Sequence, residues 1–99
     1  MPIEEKIGCA AYLEARRQLA KLAWHAEAWS ESAEHWRHML LLDNCLEEAH
    51  YGLMRCYVRQ GKRGAALRQY QSCQEILQKE LGIQPGLALQ NLYQRLTAK

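Results

Sequence analysis

The sequence predicts an all-α fold, a right-handed stack of antiparallel helical hairpins with about five helices. Three observations carry that prediction. Apolar residues recur 34 positions apart: Trp36 with Tyr70, Met39 with Cys73, Leu42 with Ile76, and Leu19 with Leu53. Ala, Leu, Gln, Glu and Arg dominate the 99 residues, Pro occurs twice and Phe never, so helix is the default element. The segments between apolar stripes are short, and short connections force neighbouring helices to run antiparallel.

A period of 34 marks tetratricopeptide-type helix pairs, each too small to bury its own apolar face and therefore stacked on the next. The first helix is predicted from about Glu4 to His25. Glu4 and Glu5 favour its positive N-terminal end, and Leu13, Leu19, Ala20 and Ala23 supply apolar positions. Glu27-Ala28-Trp29 reads as a turn and Ser30 as the N-cap of the second helix, which carries Ala33, Trp36, Met39, Leu40 and Leu42. Asp43-Asn44 ends it, and Asn44 with Glu47 three residues on reads as a capping box. The third helix places Leu46, Ala49 or His50, Leu53 and Tyr57 on one stripe and stops at Gly61, a left-handed C-cap. The fourth opens after Gly64, repeats the stripe through Ala66, Tyr70, Cys73, Leu77 and Leu81, and closes at Gly82. Pro85 reads as the start of the fifth, with Leu89, Leu92, Tyr93 and Leu96 on its apolar side.

Length and charge exclude several functions. Ninety-nine residues suit one domain spanning 1–99, burying about 60–65% of its unfolded surface. A net charge of +2 is smaller than the basic bias of a dedicated DNA-binding domain. The longest strongly apolar run, Met39-Leu40-Leu41-Leu42, falls far short of the roughly 20 residues that cross a bilayer. The N-terminus has no signal-peptide core, so the expected location is the cytoplasm. Cys9, Cys45, Cys56 and Cys73 are scattered without a C-x-x-C pair; Cys56 and Cys73 fall on apolar faces, as reduced, buried residues.

The second half of the chain resembles a known family. The residues are Glu47-Glu48-Ala49-His50-Tyr51-Gly52-Leu53-Met54-Arg55-Cys56-Tyr57, then Gly61-Lys62-Arg63-Gly64-Ala65-Ala66-Leu67-Arg68-Gln69-Tyr70, then Glu80-Leu81-Gly82-Ile83-Gln84-Pro85 with Leu92-Tyr93. From Leu19 to Leu96 this is similar to the bacterial transcriptional activator domain of antibiotic-regulatory-protein-type transcription regulators. Two departures stand out: Asn44 follows Asp43 where the family usually has proline, and Gly86-Leu87-Ala88-Leu89 replaces a Ser-Pro-Glu-Thr-like start to the fifth helix. The resemblance implies a helical domain that follows a winged-helix DNA-binding domain. No such domain precedes Glu4 here, and the expectation is a fragment of a larger regulator. The implied role is non-catalytic: self-association, signal transmission or partner binding in transcription regulation. The alternative is a stand-alone tetratricopeptide-type peptide-binding adaptor with no transcriptional role.

Candidate chemical sites are sparse. His35 and His38 have metal-compatible spacing, but no acidic or Cys neighbour completes a convincing set, so they read as solvated surface residues. His50 reads as a half-buried packing residue. Ser72 near Cys73 and His50 lacks an oxyanion hole and an orienting acid, so no enzyme is predicted, and no cofactor or metal. Arg59, Lys62, Arg63 and Arg68 cluster at one turn; without a recognition helix they read as cations complementing a helix C-terminus. Of Trp24 and Trp29, one is expected in the core and the other partly exposed.

In a tetratricopeptide stack the first helix of each pair lines the concave face. That register puts Glu14, Arg17, Lys21, Trp24 and His25 of the first helix on it, with Glu48, Tyr51, Arg55, Val58 and Arg59 of the third. Periodicity agrees, since Arg17, Lys21 and Trp24 fall at i, i+4 and i+7, as do Tyr51, Arg55 and Val58. Arginine grips carboxylates with paired hydrogen bonds, and Trp and Tyr supply contact area. The expected partner-binding residues are Arg17, Lys21, Trp24, Tyr51, Arg55 and Arg59. The expected partner is a protein: the regulator's own DNA-binding domain, another copy, or an acidic, partly apolar peptide segment. The helix-five segment or a second copy filling the groove is the competing reading. Specific DNA binding by this chain alone and membrane association are not expected.

Overall fold

The computed structural model describes residues 2–98, and side chains from Gly8 onward except that of Cys9. The predicted roles of Glu4, Glu5 and the Cys9 thiol therefore lie outside the described side chains. Five helices follow in order: α1 (Pro2–His25), α2 (Trp29–Leu42), α3 (Glu47–Arg59), α4 (Arg63–Leu81) and α5 (Leu87–Thr97). Consecutive helices pack on one another, and α5 also returns to α3. This is the predicted all-α stack of hairpins, with no strand among the described residues.

The 34-residue period survives in the packing. Trp36 anchors one apolar cluster with Ala20, Ala33, Met39, Ala49, Leu53 and Cys56. Tyr70 anchors a second with Met54, Ala66, Cys73, Leu77, Leu89 and Leu92. Adjacent α3 residues serve different clusters, Leu53 the first and Met54 the second, so α3 is the shared wall. Each fully buried Leu or Met here contributes about 1.5–3 kcal/mol. Gly52 has a packing reason of its own: a Cβ there would collide with the Trp36 indole, which lies against the α3 backbone. Leu19, Leu42 and Leu81 depart from the predicted stripes and are exposed. Ala20 takes the core position beside Leu19.

The helix ends show where local signals misled. α1 closes with the Ala28 N–H on the Ala23 carbonyl (2.8 Å) and the Glu27 N–H on that of Trp24 (3.0 Å). Glu27 takes the left-handed conformation (φ 59°) that Gly usually fills. The chain thereby re-enters helix at Trp29, and Ala28, not Ser30, is the N-cap. The Ser30 hydroxyl instead accepts a bond from the Gln60 amide (2.7 Å). The Asn44–Glu47 capping box does not form either: Asp43 Oδ1 takes the Cys45 N–H (3.0 Å), Asn44 lies in that turn, and Glu47 has another partner. Leu46 is the α3 N-cap, the Asn44 carbonyl faces His50, and the Glu47 carboxylate accepts the Gly86 N–H (2.6 Å). At the far end of α3 the Gly61 prediction holds: φ is 75° and the Lys62 N–H reaches the Tyr57 carbonyl (2.7 Å). α4 starts at Arg63, ahead of Gly64, and ends on left-handed Gly82. Pro85 does not start α5; it is buried, its carbonyl accepts from Gln90 (2.6 Å), and Gly86 is the N-cap.

Candidate functional site: a cationic, aromatic groove

A groove runs across one face of the stack between α1, α3 and α5. Its wider part, about 720 Å³, is lined by Trp24, Tyr51, Arg55, Val58, Arg59, Leu92, Arg95 and Leu96. A narrower recess of about 390 Å³ continues past Trp24 and Tyr51 towards Lys21, His25, Glu48 and Trp36. The helical register explains the composition, since Tyr51, Arg55 and Val58 share one face of α3 and Trp24 lies on α1 opposite them.

Aromatic rings hold Arg55 and Arg59 of the groove in place. The Arg55 guanidinium lies 4.1 Å from the centre of the Trp24 ring and 5.5 Å from that of Tyr51. Arg59 stands 5.6 Å from Trp24 and 5.4 Å from Trp29. Trp24 and Trp29 pack edge to face, with centres 4.7 Å apart. Both indoles are half-buried, so neither is the fully buried core tryptophan expected of the pair; Trp36 has that place. Stacking on a ring occupies the faces of a guanidinium and leaves its N–H edge available. Among the described residues neither Arg55 nor Arg59 is ion-paired, and no carboxylate lines the wider part of the groove.

Arg17 and Lys21 differ from the expectation of open cations. Arg17 bridges Glu48 of α3 and Glu14 of its own helix, at 2.5 Å each. The Glu48 hydrogen bond is the main cause that raises the Arg17 pKa. Lys21 lies 4.0 Å from the same Glu48. This end of the groove is internally neutralised, and its ion pairs tie α1 to α3. Arg95, Leu92 and Leu96 were missed. Their helix was read for its core stripe alone, and its return onto α3 had no local signal. α5 lines the groove edge and leaves the channel open.

The other candidates have structural roles. His50 is buried; its Nε2–H donates to the Asn44 carbonyl and its Nδ1 accepts from the Gln69 amide, both at 2.8 Å. Burial pushes its pKa down and keeps the ring neutral. It is more enclosed than the half-buried position expected. Ser72 is exposed on α4, whereas the Cys73 thiol is buried and pushed up to about 12. His35 and His38 are half-buried rather than solvated. His35 Nδ1 accepts from Arg16 (2.8 Å), and burial followed by that guanidinium lowers its pKa. Among the described residues no three His, Cys, Asp or Glu side chains gather as a metal site. No described helix is long and apolar enough to cross a membrane.

With this arrangement in place, the comparison with known proteins decides the family. The family model of the bacterial transcriptional activator domain matches residues 9–97. The chain belongs to that family. The match begins inside α1, ahead of the Leu19 start read from the sequence, and ends with α5, so every helix of this bacterial transcriptional activator domain takes part. Membership makes it a transcription-regulatory domain. No curated protein and no solved structure matches the chain.

Proposed function

We propose that this domain is the non-catalytic protein-docking part of a cytoplasmic transcription regulator, and that its groove captures an acidic, partly apolar protein segment. One observation carries the reading. Arg55, Arg59 and Arg95 converge with Trp24, Tyr51, Leu92 and Leu96 on a channel whose wider part holds no carboxylate among the described residues. Aspartate and glutamate of a partner would meet the guanidinium edges, and its apolar residues would cover the leucines and rings. Pre-stacked arginines lose less freedom on binding than unrestrained ones. The partner-binding set becomes Trp24, Tyr51, Arg55, Arg59 and Arg95, with Arg17 and Lys21 supporting the α1 wall.

Fluorescence anisotropy with a labelled synthetic peptide alternating Asp or Glu with Leu and Trp tests this. Binding near 10⁻⁵ M that weakens steeply between about 0.05 and 0.5 M salt is expected. Arg59→Glu with Arg95→Glu should abolish it. Equal affinity for the same peptide with lysines in place of its acids would refute the proposal.

A further inference from the structure

We infer that the outward face of α1, away from the groove, receives an amphipathic helix from a protein partner, packed antiparallel as α2 packs on α3. The basis is the molecule's own period. Ala15, Leu19 and Leu22 stand 34 residues before Ala49, Leu53 and Cys56. Those three α3 residues are 0%, 1% and 0% exposed, in one cluster with Ala33, Trp36 and Met39 of α2. Their α1 counterparts have no such cover: Leu19 is 45% and Leu22 66% exposed, with Tyr12 and Ala15 beside them. Leu19 and Leu22 lie about 140° and 200° of helical rotation from Trp24, the α1 residue of the wider groove, so this stripe and that part of the groove are separate surfaces. Among the described residues, α1 thus presents the receiving face of a repeat with no α2-like helix in front of it.

The chemistry of the occupant follows from the same comparison. α2 offers Ala33, Trp36, Met39 and Leu40, and the Trp36 indole lies over Gly52. The α1 counterpart of Gly52 is Gln18, which has a side chain where the indole would sit. The incoming helix therefore carries an aliphatic residue at that position, within an otherwise similar i, i+3, i+7 stripe. A second copy of this chain fits poorly. Apart from Leu87, α5 exposes Ala88, Asn91, Gln94 and Arg95, so head-to-tail stacking finds no apolar stripe.

The probe is a labelled peptide of residues 29–42 carrying Trp36→Leu, titrated into the full chain and followed by anisotropy. Saturable binding is expected, weakened at least ~tenfold by Leu19→Glu with Leu22→Glu. That double variant should keep its Tm, because both side chains are exposed; Leu22→Glu alone, the more exposed site, is the companion variant and should weaken binding in the same direction. Lys79→Glu, on the exposed face of α4, should leave peptide binding unchanged, which ties the loss to the α1 face. Absence of binding, or binding indifferent to these α1 variants, would overturn the inference. So would sedimentation showing a dimer that Leu19→Glu with Leu22→Glu dissolves, because the occupant would then be a second copy.

Discussion

Replacing Gly52 by Ala tests the packing on which the repeat rests. Gly52 is internal to α3, where Ala is normally favoured over Gly by about 1 kcal/mol. Here the new Cβ would collide with the Trp36 indole, a rigid ring that is 6% exposed and packed among Ala20, Ala33 and Met39. Overpacking of this kind costs about 1–3 kcal/mol, and Trp36 and Gly52 both line the narrow recess beside the ring. The collision with a rigid, buried ring puts the cost at the upper end of that range, so the clash should exceed the propensity gain by up to about 2 kcal/mol. For a domain of this size that lowers Tm by up to roughly 15 °C. Urea and thermal unfolding followed by far-UV circular dichroism read it. In a Trp36→Leu background the clash is gone, and Gly52→Ala should become neutral or stabilising by up to about 1 kcal/mol. If Gly52→Ala stabilises the parent chain as much as it does the Trp36→Leu chain, Trp36 does not lie on α3 and the reasoning fails.

Three other outcomes follow from the fold. Tyr70→Ala should cost about 3–5 kcal/mol in urea unfolding, since the ring is buried and stacks on Tyr93 with centres 4.2 Å apart; a loss below about 1 kcal/mol would show that Tyr70 does not fill the second cluster. Because burial lowers the folded pKa of His50, the unfolded chain binds the extra proton more readily. Stability should hold above the unfolded histidine value of about 6.5 and decline as pH falls below it, and His50→Gln should flatten that decline. Native-state alkylation at mildly alkaline pH should spare Cys56 and Cys73, both buried with raised pKa values, until urea unfolds the chain; rapid labelling of Cys73 in the folded chain would contradict its place in the core.

The parts of the fold legible in the sequence were those set by periodicity and by glycine. The Trp36–Tyr70 spacing locates both clusters, and Gly61 and Gly82 mark the ends of α3 and α4, because a left-handed residue is cheapest as Gly. Ser30, Asn44 and Pro85 misled because a cap competes with tertiary partners. Ser30 is taken by Gln60 and Glu47 by Gly86, while Asn44 sits in the turn where Asp43 takes the Cys45 N–H. Leu19 looked like the equivalent of Leu53, yet a repeat position is buried only when a neighbouring helix covers it. In the candidate site, Trp24, Tyr51, Arg55 and Arg59 were readable from helical register. The Arg17–Glu48 ion pair, 31 residues apart in sequence, and the approach of Arg95 on α5 were not, because both depend on how the hairpins stack.

The groove as a docking site for acidic segments is tested most directly by NMR of the tryptophan indole N–H groups, arginine side chains and leucine methyl groups during titration with the acidic peptide. Trp24, Arg55, Arg59 and Arg95 should shift together and saturate at one dissociation constant, with Leu19 and Leu22 unmoved. Saturable shifts confined to α1's outward face, or none at Trp24 and the three arginines, would contradict the account.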